Sequence, residues 1–217
     1  RQYALSYALH PFFTFSQISI FREMQKKLDI VISGSVAIQF FEAVRYDDCD
    51  LDLYVHVGNA TRLKSWLKSI HYTECEPLRR RRGGPPFYPC YIDEAIIIVD
   101  TFTKDGKSIQ VISTRNTVIE AILDFSLTCA MNIITHDEAI SFYPYATFEQ
   151  RECLLLDNRF LSTRNAVVEK YRRRGWTVIE TLDPSVSSNP RSDFYCPSTN
   201  ARTRFVGDKW CWRIALD

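Results

Sequence analysis

The stretch from Leu28 to Val57 constrains the fold most, because two strand patterns flank a Gly-Ser step in it. Residues 28–33 are short, apolar and rich in β-branched side chains, which predicts a buried strand ending at Gly34. Residues 35–44 carry helix formers and aromatic residues, so a helix should begin at the Gly-Ser step. Residues 50–57 alternate strictly between apolar and polar side chains, which predicts a second strand. This order of elements indicates an α/β protein.

The rest of the chain predicts further helices and strands around this stretch. Helical patterns cover residues 14–27, 59–71, 116–134 with a break or bend near 126–128, and 162–176. The segment "AISFYP" predicts a short strand or turn, "TFEQRE" predicts a short helix, and "RFVGDKWCWRIAL" predicts a last strand or hairpin. A further hairpin is predicted at 95–114, whose Asp105-Gly106 turn should pair Thr101 with Gln110. We expect a mixed β-sheet flanked by helices over residues 1–160, and a mainly helical C-terminal extension over 161–217 packed on it.

Composition excludes several classes of protein. The chain has 217 residues, 46% of them hydrophobic, and 27 Lys+Arg balance 26 Asp+Glu, so global charge favours neither nucleic acid nor membranes as partners. Its seven cysteines are scattered without a C-x-x-C pair, which is typical of free thiols in a reducing compartment. No apolar run approaches the roughly 18 residues of a membrane span. We therefore expect an intracellular, cytoplasmic protein.

The polar face of the strand at 50–57 carries Asp50 and Asp52, whose carboxylates can converge on one point. Two adjacent carboxylates repel unless a cation lies between them, and Mg²⁺ (or Mn²⁺) binds such a pair together with water and substrate phosphates. Gly34 lets a phosphate approach the backbone, and Ser35 offers a hydroxyl at a helix N-terminus. Phosphate cradle and metal ligands would then form one site. Asp47 and Asp48 are interpreted as turn residues, with Asp48 and Asp50 a less favoured metal-binding pair.

The apolar strand, Gly34-Ser35, the helix and then Asp50-Leu51-Asp52-Leu53 together resemble the DNA polymerase beta-like nucleotidyltransferase superfamily, and most closely its fungal members. The resemblance implies transfer of a nucleoside monophosphate from an NTP, with ATP the expected donor, to an unidentified nucleic acid, protein or small molecule. It also implies metal ligation by Asp50 and Asp52 and nucleotide binding at Ser33, Gly34 and Ser35. Fourteen residues separate Ser35 from Asp50, and Cys49 stands where many members have Ser.

The resemblance implies a third carboxylate on a later strand, where this chain has the neutral Gln110, which we assign to the catalytic site. Glutamine is a poor general base, and Asp100, the nearest acidic substitute, should face away from it. Two alternatives therefore stay open beside an active transferase. The chain could be a degenerate member that binds a nucleotide or partner without turnover, or a D-x-D glycosyltransferase. The arginines at 79–82 are interpreted as a solvated loop, with a phosphate or nucleic-acid contact as the less favoured reading.

Overall fold

The computed structural model describes residues 5–46, 49–76, 95–156, 161–187, 189, 192–194 and 204–216, and only the backbone of 161–165. The helices of this part are α1 (Leu5–Leu9), α2 (Phe15–Leu28), α3 (Gly34–Glu42), α4 (Val57–Ser69), α5 (Val118–Leu123), α6 (Leu161–Arg173) and α7 (Pro184–Ser187), with a 3₁₀ turn at Thr128–Ala130 and a π-helical turn at Tyr145–Gln150. The strands are β1 (Val31–Ser33), β2 (Leu51–His56), β3 (Thr73–Glu74), β4 (Ile96–Lys104), β5 (Lys107–Thr114), β6 (Asn132–Ile134), β7 (Glu138–Ser141), β8 (Glu152–Leu154), β9 (Thr177–Ile179) and β10 (Trp212–Ala215). No helix in these ranges is both long and apolar enough to cross a membrane.

Eight of the described strands form one mixed sheet in the order β10-β7-β6-β1-β2-β5-β4-β3. Strands β2 and β5 pair in parallel, and the other described pairs of this sheet are antiparallel. The predicted α/β class with a mixed sheet and flanking helices is confirmed. Strand β2 lies in the middle of the sheet, with β1 on one side and β5 on the other. The strands predicted within residues 28–57 therefore lie next to the β4–β5 hairpin.

Each face of the sheet carries its own apolar core. Leu51, Leu53 and Val55 are fully buried against α2 and α4 on one face, as the alternation of β2 predicts. The opposite face is covered by α5 and α6, where Tyr54 is buried and its ring centroid lies 6.0 Å from that of Phe125. Because α6 packs into this second core, it borders the polar face of β2. The division of the chain at residue 160 into core and extension stays a prediction.

The predicted hairpin and helix boundaries agree closely with the structure. Asp105 and Gly106 form the turn with positive φ angles of 50° and 73°, and Thr101 pairs with Gln110. Positive φ at both central residues gives the twist that a two-residue hairpin turn needs. Thr14 caps α2, since its side chain and that of Gln17 satisfy each other's backbone N–H groups.

The helix predicted over 116–134 is wrong in its second half. Helix α5 covers only Val118–Leu123, and Asn132–Ile134 is instead the strand β6, between β1 and β7. All three β6 residues are buried, so the apolar run carries no periodicity that separates a buried helix from a buried strand. Ile133 and Ile134 of β6 are β-branched, which favours a strand once neighbouring strands are available. The arginines at 79–82 lie outside the described residues.

Candidate active site

A cleft of about 340 Å³ opens on the face of the sheet that α5 and α6 cover. Its polar lining comes from the start of α3, from β2 and the residue before it, from β4 and β5, and from α6, through Gly34, Ser35, Asp50, Asp52, Asp100, Gln110 and Lys170. The apolar lining comes mainly from residues 96–99 of β4, with Tyr54, Ile112, Phe125, Ala130, Val167 and Tyr171. One cleft thus unites the predicted carboxylates, the Gly-Ser step, Gln110 and a cation.

A second cavity, of about 310 Å³, lies beside α1 and the end of α3. Its described lining includes Tyr7, Arg45, Tyr46 and Lys107 but no acidic side chain. Of these two cavities, only the first is lined by carboxylates of the described residues.

The Gly34 backbone and the Asp52 carboxylate fit closely together. Gly34 has a φ of +66°, a conformation that L side chains rarely adopt, and a Cβ built on it would lie 2.0 Å from Asp52 Oδ2. Only a residue without a side chain can begin α3 while Asp52 keeps this orientation. The glycine and the second aspartate, 18 positions apart, are therefore parts of one structural unit.

Asp52 lies between two neighbouring strands at the base of the cleft. It is paired in register with Ser33 of β1 and with Gln110 of β5. Removal from water, with the adjacent Asp50 charge as the second cause, raises the pKa of Asp52 to about 7, whereas Lys170 acts in the opposite direction. Folding therefore favours the neutral form of Asp52, whereas a bound cation would favour its ionised form.

Asp50 and Gln110 are in direct contact at the mouth of the cleft. Gln110 Nε2 donates a hydrogen bond to Asp50 Oδ2 at 3.3 Å, so the amide supports the exposed first aspartate. A carboxamide in this position can orient Asp50, but it cannot accept a proton as a carboxylate does. Asp47 and Asp48 lie outside the described residues, so their assignment as turn residues stays a prediction.

The two predicted serines have different environments. Ser33 is fully buried, and its hydroxyl donates to the carbonyl of Asn132 at 2.7 Å. Ser35 lines the cleft, and its Oγ accepts a hydrogen bond from Arg174 Nη1 at 2.9 Å. Ser35 is therefore placed to approach a ligand, whereas the hydroxyl of Ser33 joins two strands.

Asp100 does not supply the missing carboxylate. It is paired with Val111, so it faces the α4 side of the sheet as the hairpin register predicts. Its Oδ2 accepts a hydrogen bond from Lys64 Nζ at 2.8 Å. Asp100 borders the cleft, but its charge is already paired on the far side of the sheet.

Sequence reasoning missed two cations that α6 and its C-terminal end bring to the site. Lys170 lines the cleft beside the two aspartates, and Arg174 contacts Ser35 while its Cζ lies 4.3 Å from the ring centroid of Tyr46. The basic sequence of this segment is typical of a surface helix with Trp176 packed inward, and Trp176 is buried. The four-residue spacing of Lys170 and Arg174, which puts them on one face of a helix, was the available signal.

The donor set fits a single hard cation that is completed by substrate and water. No group of three His, Cys, Asp or Glu side chains within the described ranges is arranged to hold a metal. Asp50 and Asp52 offer two carboxylates, and Mg²⁺ typically takes one or two of these and fills its other positions with water and phosphate oxygens.

Comparison with solved structures identifies CCA-adding enzymes, which belong to the nucleotidyltransferase superfamily. An apo form matches with a TM-score of 0.54 and 14% identity over 82% of this chain and 43% of that one. A Thermotoga maritima enzyme complexed with tRNA_CCA matches with a TM-score of 0.55 and 13% identity, over 82% of this chain and 42% of that one. A CCA-adding enzyme complexed with CTP matches with a TM-score of 0.55 and 14% identity, over 81% of this chain and 43% of that one.

These likenesses define the fold as nucleotidyltransferase-like. The chain spans less than half the length of the enzymes that it matches. No protein-family model and no curated protein sequence matches it. The closer resemblance to fungal members stays a prediction.

Proposed function

We propose that this chain binds an NTP with Mg²⁺ or Mn²⁺ and transfers its nucleoside monophosphate to an acceptor hydroxyl. The observation that carries the proposal is the fit of Gly34 against Asp52, with 2.0 Å between Asp52 Oδ2 and the Cβ that Gly34 lacks. It joins the helix start, which suits a phosphate, to the carboxylate pair, which suits a metal ion. Neither feature alone would define such a site.

Asp50 and Asp52 are the residues that would hold the metal ion. A bound divalent ion would neutralise charge on the phosphates and stabilise the transferring phosphoryl group. A cation beside Asp52 would also favour its ionised form, and so lower the pKa that desolvation and Asp50 raise. Metal binding at neutral pH should accordingly release a proton.

The remaining lining suits the other parts of a nucleotide. The N-terminus of the nine-residue helix α3 and the ammonium of Lys170 suit the phosphates. The apolar wall made by residues 96–99 and Phe125 suits a base and sugar, and the cleft volume is that of a small-molecule site. In the transfer, a bond forms between the acceptor oxygen and the α-phosphorus as the bond to the departing pyrophosphate breaks.

The donor and acceptor classes are proposed with support from the structural neighbours. Solved structures of CCA-adding enzymes include complexes with CTP, with ATP and with tRNA_CCA. We propose an NTP donor, with ATP as the first nucleotide to test, and a nucleic-acid end as the first acceptor class. The protein or small-molecule acceptors that the sequence leaves open form the second panel of substrates.

A nucleotide-binding protein without turnover is the second candidate, and Gln110 favours it. Gln110 donates to Asp50 and cannot take the acceptor proton, while Asp100 is engaged by Lys64. A glycosyltransferase has weaker support, because it would need no contact between a glycine helix start and the second aspartate. Preferential binding of sugar nucleotides over NTPs would favour it.

Calorimetric titration with a non-hydrolysable ATP analogue, with and without Mg²⁺, tests the binding step. We expect the Mg²⁺-dependent binding to disappear in the double variant Asp50→Asn/Asp52→Asn, while far-UV circular dichroism stays unchanged. Glu169→Gln is the matched control, since Glu169 is an exposed carboxylate of α6. Unchanged affinity in the double variant would contradict the metal assignment. Pyrophosphate release with the acceptor panel then separates the transferase from the binding protein.

A further inference from the structure

The hydroxyl of Ser35 is a hydrogen-bond acceptor at the wall of the cleft. Its Oγ lies 2.9 Å from Nη1 of Arg174, and a guanidinium group can only donate, so the direction of this bond is fixed. Ser35 lines the cleft and is only 4% exposed. A serine hydroxyl has two lone pairs and one hydrogen, so the contact with Arg174 uses a lone pair and leaves the hydrogen.

The hydrogen of the Ser35 hydroxyl is available to a ligand. Among the residues that the structure describes, Ser35 Oγ takes part in no hydrogen bond besides the one from Arg174. Ser35 also belongs to the first turn of α3, whose N-cap residue Ser33 makes no side-chain capping bond. The hydroxyl and the backbone N–H groups of this turn can therefore donate to the same anion. A phosphate oxygen, which only accepts, suits all of these donors.

Arg174 is held in place by a second contact on its other side. Its Cζ lies 4.3 Å from the ring centroid of Tyr46, and the Tyr46 hydroxyl donates to the buried carboxylate of Glu42. A guanidinium that stacks on an aromatic ring has few orientations that also reach a hydrogen-bond acceptor. The contact with Ser35 is therefore built by the fold, from the end of α6 and the segment after α3.

We propose that Arg174 is a positioning residue for nucleotide binding: by occupying a lone pair of Ser35 Oγ, it turns the hydroxyl hydrogen towards a phosphate of the nucleotide. The inference rests on the proposed function, which supplies the nucleotide. Without Arg174, the hydroxyl could rotate and present a lone pair to the phosphate, which repels it. A hydroxyl that accepts a charge-assisted bond is also polarised and becomes a stronger donor.

The first test is a double-mutant cycle on the affinity for a non-hydrolysable ATP analogue with Mg²⁺, measured by calorimetry. Ser35→Ala and Arg174→Gln should each weaken binding about threefold to tenfold, the scale of one hydrogen bond. The double variant should bind no more weakly than Ser35→Ala, because Arg174 acts through the hydroxyl. Arg173→Gln makes the same charge change at an exposed neighbouring position and should leave the affinity unchanged.

The second test replaces the nucleotide by tripolyphosphate with Mg²⁺, so that only the phosphates contribute. Arg174→Gln should lose the same factor in affinity for this ligand, again only while Ser35 is present. Thermal unfolding of each variant checks that the fold is intact at the temperature of the titration. If Arg174→Gln does not fold, the cycle is run with Arg174→Lys, whose single ammonium lacks the planar fork and should show the same dependence on Ser35.

Two results would overturn the inference alone. Unchanged affinity for both ligands in Arg174→Gln, with a lower thermal midpoint, would make Arg174 merely structural. A further loss when Arg174→Gln is added to Ser35→Ala would mean that Arg174 does not act through the hydroxyl.

Failure of the proposed function gives a different pattern. A wild type that binds tripolyphosphate but no ATP analogue would contradict the proposed function, whereas the tripolyphosphate cycle would still decide the role of Arg174. A wild type that binds neither ligand would contradict both.

Discussion

Gly34→Ala should damage both stability and metal binding, for two separable reasons. The φ of +66° at this position costs an L residue about 1–2 kcal/mol. The new Cβ would also lie 2.0 Å from Asp52 Oδ2 and 3.1 Å from its Cγ, so the carboxylate must rotate away. A side chain forced off its rotamer costs about 0.5–1.5 kcal/mol. We expect a total loss of about 1.5–3.5 kcal/mol in the free energy of unfolding.

Gly106→Ala is the matched control for the backbone part of this cost. Gly106 has a similar φ of +73°, but an added Cβ meets nothing within 4 Å. Urea unfolding of both variants should therefore show a larger loss for Gly34→Ala. In an Asp52→Ala background the carboxylate is gone, so Gly34→Ala should cost only as much as Gly106→Ala.

The four proteins, wild type, Gly34→Ala, Asp52→Ala and the double variant, form a double-mutant cycle. A coupling free energy of about 0.5–1.5 kcal/mol is expected, and Mn²⁺ affinity should fall in Gly34→Ala although both aspartates remain. Additive effects, or metal binding unchanged in Gly34→Ala, would refute the claim that Gly34 and Asp52 form one unit.

Three further predictions follow from the contacts of the site. Because Asp52 has a pKa raised from 3.8 to about 7, the folded chain holds a proton that the unfolded chain releases, so stability falls as pH rises through this window. The stability gain of Asp52→Asn over the wild type should therefore grow between about pH 4 and 7 and level off above, with a ceiling of about 4 kcal/mol; a gap that shrinks with pH would contradict this. Gln110→Asp should raise basal transfer about 10²- to 10⁴-fold with little change in nucleotide affinity, and a slower Gln110→Asp beside a brisk wild type would mean that a residue outside the described cleft is the base. Arg174→Gln should lose about 1–2 kcal/mol of stability by removing its contacts with Ser35 and Tyr46, and an unchanged thermal midpoint would show that neither contact contributes.

The part of the fold that the sequence predicts best is the part with local signals. The alternation of β2, the Gly34 turn and the Asp105-Gly106 hairpin each depend on neighbours in the chain, and the structure has them at the predicted positions. The predicted pairing of Thr101 with Gln110 is confirmed because a two-residue turn fixes the register of both strands. The same register explains why Asp100 faces away from the site.

The parts that sequence could not supply depend on contacts between distant segments. Strand β6 was predicted as helix, since a buried apolar run contains no information on which neighbours will pair with it. Arg174 contacts Ser35 across 139 positions, and Lys170 enters the cleft only because Val168 and Tyr171 bury α6 in the core under that face. From sequence alone, a basic helix is predicted to lie on the solvated surface, because the sequence does not show which part of the core its apolar face contacts.

A crystal structure with Mn²⁺ and a non-hydrolysable NTP tests the central claim most directly, because anomalous scattering locates the metal independently of the nucleotide. The account predicts one Mn²⁺ peak at about 2.0–2.3 Å from carboxylate oxygens of Asp50 and Asp52, with the phosphates against the start of α3 and near Lys170. Nucleotide bound elsewhere on the chain, or Mn²⁺ without contact to either aspartate, would contradict it.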